Sequence, residues 1–384
     1  MHFGLSQEQS MIVDTVRRFV AEELVPHEDE VERTDDVPEA LIRQIRQRAI
    51  DKGLYAINMP AELGGGGLDA LAVSLCEIEL GHTAFALQYA VARPSNILRA
   101  CTGWQVSRYL LPTIRGERVE CLAMTEPGAG SDLRSMTTRA RREGEDFIIN
   151  GTKHFISYAD VADYVVLFAR TGDEGGITSF LVDKEDPGFE VRPGGESVSH
   201  RGFHHAELVF TDCRVHQRHI LGEEHRGFDV AREWLGATRL TVAAHCVGRA
   251  RRVLSMAAGW AGTRRQFGRT IGRFQGTSFK LADMLTEIEA AELLVLRAAD
   301  REARGCATDR DFAMAKLYAS EMLGRVTDHA VQIFGGMGLM KEFAVERFWR
   351  DARIERIWDG TSEIQRHILS RSLLREHETP KGAG

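Results

Sequence analysis

The hydrophobic period changes twice along this 384-residue chain, and that double switch constrains its fold more than any short motif. From Leu5 to about Gly116 the period is helical: Met11, Val13, Val16, Phe19, Val20 and Leu24 form one apolar stripe, opened by a capping box of Ser6 and Gln9. Pro38 opens a second helix through Leu41, Ile42 and Ile45, and the Gly64–Gly67 run breaks the chain before a helical stretch from Asp69 to Ala92. Between Glu120 and Leu221 short strands take over: Phe147–Ile149, Lys153–Ile156, Tyr164–Phe168, Ser179–Val182 and Glu207–Phe210. Asn150-Gly151 lies between the first two and is a strong hairpin signal. Helices then return at about 227–262, 275–304, 309–334, 344–355 and 361–375, with Thr308 and Asp311 placed to cap the third. The pattern predicts an α+β multidomain chain: a helical domain over 1–118, a β-barrel or sandwich over 119–226 and a helical domain over 227–384.

A net charge of −7 excludes binding of a nucleic-acid polyanion by bulk charge. No apolar run reaches the length of a membrane-spanning helix. Met1-His2-Phe3-Gly4-Leu5 lacks the basic and apolar blocks of an export signal. Six scattered cysteines with no C-x-x-C pair read as reduced core thiols, so the expected setting is cytoplasmic. The histidines at 200, 204, 205, 216 and 219 cluster without a metal-ligand spacing, and no metal site is expected.

The chain also lacks G-x-G-x-x-G after a strand, a P-loop and a G-x-S-x-G elbow. Three segments remain. Ala123–Asp132 (AMTEPGAGSD) offers backbone amides, Thr125 and Ser131, and reads as a tight loop or an anion-binding nest. Gln332–Gly338 (QIFGGMG) carries three glycines in four positions, more than a helix C-cap requires. In Arg356–Arg366, Asp359 sits in a glycine turn before a helix, as a cap or as an exposed general base.

Together these segments resemble the acyl-CoA dehydrogenase family. The likeness covers essentially the whole chain in order: T-E-P-x-A-G-S-D, Q-x-x-G-G-x-G-L with Leu339, Glu342, Arg347 and Asp351, Arg264–Gly268, and Asp359–Gln365. The resemblance implies a helical N-terminal domain, a central β-barrel and a C-terminal four-helix bundle, assembled as a homotetramer. It implies FAD bound without a dinucleotide fold. Leu122, Met124, Thr125, Gly130 and Ser131 would line the flavin and pyrophosphate. Phe155 and Ile156 would pack on the isoalloxazine ring, and Ser157 would offer its hydroxyl to flavin N5. Arg264, Gln266, Phe274, Gln275, Gln332, Gly335 and Gly336 would reach the adenine end, some across a subunit boundary, with Thr361 and Glu363 completing the site. Ser131, Thr238, Arg239 and Gly360 would border the acyl-CoA substrate.

The implied chemistry is α,β-dehydrogenation of an acyl-CoA: a carboxylate takes the α-proton, and the β-hydrogen leaves as hydride to flavin N5. An electron-transferring flavoprotein would then reoxidise the flavin. Asp359 stands where relatives commonly carry Glu, shorter by one methylene or about 1.5 Å of reach. The other customary place for the base corresponds to Thr238, which cannot serve. His200–His204 replaces small hydroxyl or acidic residues of relatives, and Arg93 reads as a recogniser of a polar acyl tail or as a surface arginine. The competing readings are an oxygen-using oxidase of the same fold, acyl-CoA oxidase-like or nitroalkane-oxidase-like, and a non-catalytic flavoprotein.

Overall fold

A computed structural model of the chain describes residues 4–91, 94–172 and 176–377. Arg93 lies outside them. The first helices are α1 (Gln7–Phe19), α2 (Glu28–Thr34), α3 (Glu39–Asp51), α4 (Ala70–Leu80), α5 (Phe85–Ala90) and α6 (Leu111–Ile114). The strands are β1 (Glu120–Ala123), β2 (Arg139–Glu143), β3 (Asp146–Ser157), β4 (Tyr164–Thr171), β5 (Gly176–Asp183), β6 (Phe189–Pro193), β7 (His205–His216) and β8 (Ile220–Leu221). Helices α7 (Gly227–Thr263), α8 (Gln275–Ala303), α9 (Asp309–Phe334), α10 (Ala344–Asp351) and α11 (Ser362–Arg375) follow.

Both capping boxes form. Ser6 Oγ accepts from Gln9 N at 3.1 Å while Gln9 Oε1 accepts from Ser6 N at 2.9 Å, and Thr308 with Asp311 does the same at α9. Each satisfies helix-end N–H groups that have no intrahelical partner. The stretch from Asp69 is not one helix: α4 stops at Leu80 and α5 begins at Phe85. Helix α2, which the apolar pattern did not mark, precedes α3.

The described residues gather into two compact units. One holds residues up to 25, 69–84 and 236 onward. Its core interleaves Val247, Ala250 and Val253 of α7 with Met284, Ile288 and Val295 of α8, Met322, Leu323 and Val326 of α9, and Phe348 of α10. Helices α4 and α7 meet backbone to backbone. A Cβ on Gly248 would stand 1.9 Å from the Ile78 carbonyl oxygen, and one on Gly81 would stand 2.6 Å from the His245 oxygen.

The other unit, residues 26–68 and 85–235, is built on an eight-stranded sheet in the order β6-β7-β3-β2-β4-β5-β8, with β1 parallel to β4. Phe147, Ile149, Val165, Leu167, Phe180, Val182, Leu208 and Phe210 form its core. The Asn150-Gly151 hairpin does not form. β3 runs straight through both residues, and the β2–β3 turn falls at 144–145 instead. Gly151 sits at a register shift against β7 with φ +148°, and a Cβ there would stand 2.5 Å from Thr138 Oγ1. Asn150 exchanges two hydrogen bonds with Asp212 across the strands, so the dipeptide serves a bulge rather than a chain reversal.

Candidate active site

In the first unit the chain leaves α10, makes a short turn at Ile354–Arg356 and reaches Asp359 with φ +52° and Gly360 with φ +91°. Two consecutive left-handed residues turn the backbone sharply. Asp tolerates that region better than most non-glycine residues, and Gly360 carries the larger deviation. Thr361 then caps α11, its Oγ1 accepting from Ile364 N at 3.2 Å.

Three buried side chains hold this turn. Lys316, wholly buried on α9, donates from Nζ to the Gly360 carbonyl at 2.8 Å. Gln365 Nε2 donates to the same oxygen at 2.8 Å and to the Asp359 carbonyl at 3.3 Å. Glu355 pairs with buried Arg249 and accepts from Trp358 Nε1 at 2.8 Å. Burial pushes the half-buried Asp359 carboxyl up to about 6; Lys316 and Arg239 pull against this and Glu355 adds to it. Burial likewise lowers Lys316 and Arg239, with Asp359 opposing in both cases. Arg239 is buried on α7, its Nε without a hydrogen-bond partner among the described residues, and Thr238 precedes it half-buried.

The residues expected at an adenine end gather elsewhere in this unit. Gln266 belongs to an exposed two-stranded ribbon (Arg265–Gln266 with Arg269–Thr270), turned by Phe267 and Gly268, both at positive φ, and Arg264 immediately precedes it. Phe267 is 94% exposed and meets Phe274 edge-on, just before Gln275 opens α8. Trp260 at the end of α7, four residues before Arg264, stacks on Phe334 of the Gln332–Gly336 segment at 4.8 Å. A Cβ on Gly335 or Gly336 would meet nothing within 4 Å, so this backbone is open to a ligand. The structure does not bring this group to Asp359 within one chain. Lys316 and Gln332 share α9, and their 16-residue separation spans about 24 Å of helix. Thr361 and Glu363, by contrast, adjoin Asp359 directly.

In the second unit the loop after β1 is clamped to β3. Glu126 and Ala129 exchange backbone bonds at 3.0 and 3.1 Å. The buried Glu126 carboxylate accepts from Thr137 N, Thr137 Oγ1, Thr138 N and Lys153 Nζ, at 2.6 to 2.9 Å. Lys153, inside β3 and wholly buried, also donates to the Met124 carbonyl at 3.0 Å. Burial works to raise the Glu126 carboxyl, but bonds from Thr138, Thr137 and Lys153 hold it at about 2. Burial draws Lys153 down to about 8 against the pull of Glu126. On this clamp the loop leaves Thr125 half-buried and Gly130 and Ser131 exposed, with Leu122 half-buried and Met124 buried.

One residue further along β3, His154 N donates to the Thr125 carbonyl at 2.9 Å. There the β3–β7 register shifts again, between Lys153 and Ile156, and Phe155 takes φ +56°. A bulge of this kind re-aims a side chain: Phe155 is left 64% exposed, while Ile156 turns into the core. Ser157 follows half-buried, its Oγ 3.0 Å from His205 Nδ1. His204 is tied away from this strand, its ring 2.9 Å from the Asp35 carbonyl and 3.5 Å from the Asp160 carboxylate.

The second unit thus offers an aromatic ring turned outward by a strained bulge beside a small-residue loop, and the first a carboxyl of raised pKa on a turn, chemistry suited to holding a flat ligand and to moving a proton. Comparison with known proteins makes the class specific. Models of the N-terminal, middle and C-terminal domains of acyl-CoA dehydrogenase match residues 6–117, 121–213 and 225–374. The chain is 37% identical to an acyl-CoA dehydrogenase of Bacillus subtilis and 35% identical to 3-(aryl)acrylate reductase of Clostridium sporogenes, each over 96% of this chain and 99% of the relative. Butyryl-CoA dehydrogenase from Megasphaera elsdenii matches its structure with a TM-score of 0.92 at 33% identity, over 98% of this chain and all of that one. The chain belongs to the acyl-CoA dehydrogenase family, whose members depend on FAD.

This chain's residues fit that cofactor. A flat ring laid on Phe155 would cover an aromatic face the fold otherwise exposes. Gly128 and Gly130 leave open space where a Cβ would stand. Reading the sequence alone missed Lys316, Arg249, Glu355, Glu126 and Lys153 as holders of these loops. The available signal was a charged residue on a buried stripe. Lys316 falls at helical spacing between Phe312 and Ala319–Leu323, and Lys153 stands among apolar strand neighbours.

Proposed function

We propose that this enzyme converts an acyl-CoA thioester to the 2-enoyl-CoA, with Asp359 removing the α-proton. The observation that carries the reading is the Asp359 carboxyl, half-buried on a left-handed turn and raised to about 6. At neutral pH such a group is ionised yet more basic than an ordinary aspartate, as a general base should be. FAD, when bound, supplies the acceptor for the β-hydride. Lys316 and Gln365 hold the carbonyls of Asp359 and Gly360, so the reach of the base is set by the backbone. Thr238, Arg239, Gly360 and Ser131 border the substrate in this reading. Leu122, Met124, Thr125, Gly130, Phe155, Ile156 and Ser157 hold the flavin, and Arg264, Gln266, Phe274, Gln275, Gln332, Gly335, Gly336, Thr361 and Glu363 its adenine end.

The acyl group in this reading is short, medium or functionalised, and the names of the relatives from Megasphaera and Clostridium support the short and functionalised choices. The electrons then pass to an electron-transferring flavoprotein. Phe279, Leu285 and Leu293 on α8, with Leu373 and Leu374 on α11, are large apolar side chains left exposed on one chain. They support burial in a homotetramer, and the three-part division at 118 and 226 belongs to the same reading. No described helix is long and apolar enough to cross a membrane.

The test is anaerobic mixing with a panel of acyl-CoAs, followed by re-aeration. The unaltered enzyme bleaches its flavin and forms little peroxide. Asp359→Asn keeps FAD and does not bleach. Normal bleaching by that variant would remove Asp359 from the reaction, and stoichiometric peroxide would make the enzyme an oxidase.

A further inference from the structure

Ser157 and His205 are register partners, facing each other across β3 and β7. Ser157 Oγ and His205 Nδ1 lie 3.0 Å apart. The imidazole is set by its neighbours: Phe203 meets it edge-on at 5.5 Å and Phe155 at 6.5 Å, both near perpendicular. With Nδ1 held at Ser157, the second nitrogen points away from that strand pair. That nitrogen, Nε2, is buried and has no hydrogen-bond partner among the described residues.

These facts choose a tautomer. If Nε2 carried the proton, a buried N–H would be left unpaired, which is costly and rare in folded proteins. With the proton on Nδ1, only a lone pair goes unused. Burial, helped by His200, His204 and His154 and opposed by Asp160, lowers the ring to about 4, so it is neutral over the working pH range. A neutral ring with Nδ1–H must donate to Ser157, and Oγ must accept.

We infer that His205 is a positioning residue for the Ser157 hydroxyl, donating Nδ1–H to Oγ so that the serine's own proton is left to face an acceptor nitrogen of the flavin ring. The inference rests on the reading that Ser157 borders the flavin. It adds a residue of this chain that decides which way the hydroxyl points.

The experiment compares binding of FAD with binding of 5-deaza-FAD, in which carbon replaces the N5 acceptor, to enzyme stripped of its own flavin. The unaltered chain is expected to prefer FAD by about tenfold, the worth of one such hydrogen bond. Ser157→Ala should erase the preference. His205→Ala should cut it to about threefold or less, and His205→Asn, whose amide can donate from nearly the same place, should restore most of it. If Ser157→Ala erases the preference while His205→Ala keeps it in full, the positioning role is wrong and the flavin reading stands. If Ser157→Ala also keeps it, the flavin reading itself falls and takes the inference with it. Nitrogen-15 shifts of the His205 ring in the unaltered protein give a readout that needs no variant: a protonated Nδ1 is expected, and a protonated Nε2 would overturn the inference.

Discussion

Lys316 Nζ donates to the carbonyl of Gly360 at 2.8 Å, which places a buried ammonium one residue past the acid of the turn. That ammonium works against the burial that lifts Asp359. Removing it should lift the acid further. The acid limb of flavin reduction is expected near pH 6 in the unaltered enzyme, and for Lys316→Met it should move up by on the order of one pH unit. Rapid-mixing rates between pH 5 and 8 would show this, and an unmoved limb would reduce Lys316 to a purely structural support.

The same raised carboxyl makes a stability prediction. Its pKa in the folded chain, about 6, exceeds the ordinary value of 3.8. The native state therefore holds its proton where the unfolded chain has lost it, and stability falls as pH rises through this window. Asp359→Asn should raise the melting temperature above pH 6.5 and leave it nearly unchanged at pH 3.5. Thermal melts at both values decide the matter, and equal effects at the two would contradict the assigned shift.

Glu126 and Lys153 form a buried pair with four other hydrogen bonds around them. Glu126→Gln or Lys153→Met alone strands a charge, at a cost of about 3–5 kcal/mol. The double variant should be clearly less damaged than the sum of the two. Denaturant unfolding of all four proteins gives the coupling, and strict additivity would mean the charges do not interact.

Gly360→Ala tests the turn itself. At φ +91° an added methyl is strained, and it would stand 2.7 Å from Gln365 Nε2. A loss of about 1–3 kcal/mol is expected, with a larger fall in the rate of flavin reduction than in substrate affinity, because the acid is displaced. Unfolding curves and reduction kinetics read the two effects separately.

The helices of this chain were legible where local chemistry marks them. Ser6 with Gln9 and Thr308 with Asp311 announce two starts, and apolar spacing carries α7 to α9 through. Asn150-Gly151 misled because the same pair that suits a tight turn also suits a bulge. Only the tertiary neighbours, Asp212 on β7 and Thr138 just before β2, decide between them. Asp359 was visible as an acid in a glycine turn before a helix. Its raised pKa was not, since that depends on burial by the folded chain, which outweighs Lys316 from α9 and Arg239 from α7 and is helped by Glu355 from the turn before it. Apolar neighbours in the sequence mark Lys316 and Lys153 as buried, but what each one bonds to is set only by the tertiary fold.

The glycine contact between α4 and α7 limits how this molecule can be redesigned. With Gly248 against the Ile78 carbonyl and Gly81 against that of His245, those two helices have no spacing left to adjust. The helix bearing Thr238 and Arg239 is thereby fixed in height. An engineer seeking room for a bulkier thioester must shave side chains, because prising the scaffold apart is closed off by its own main chain.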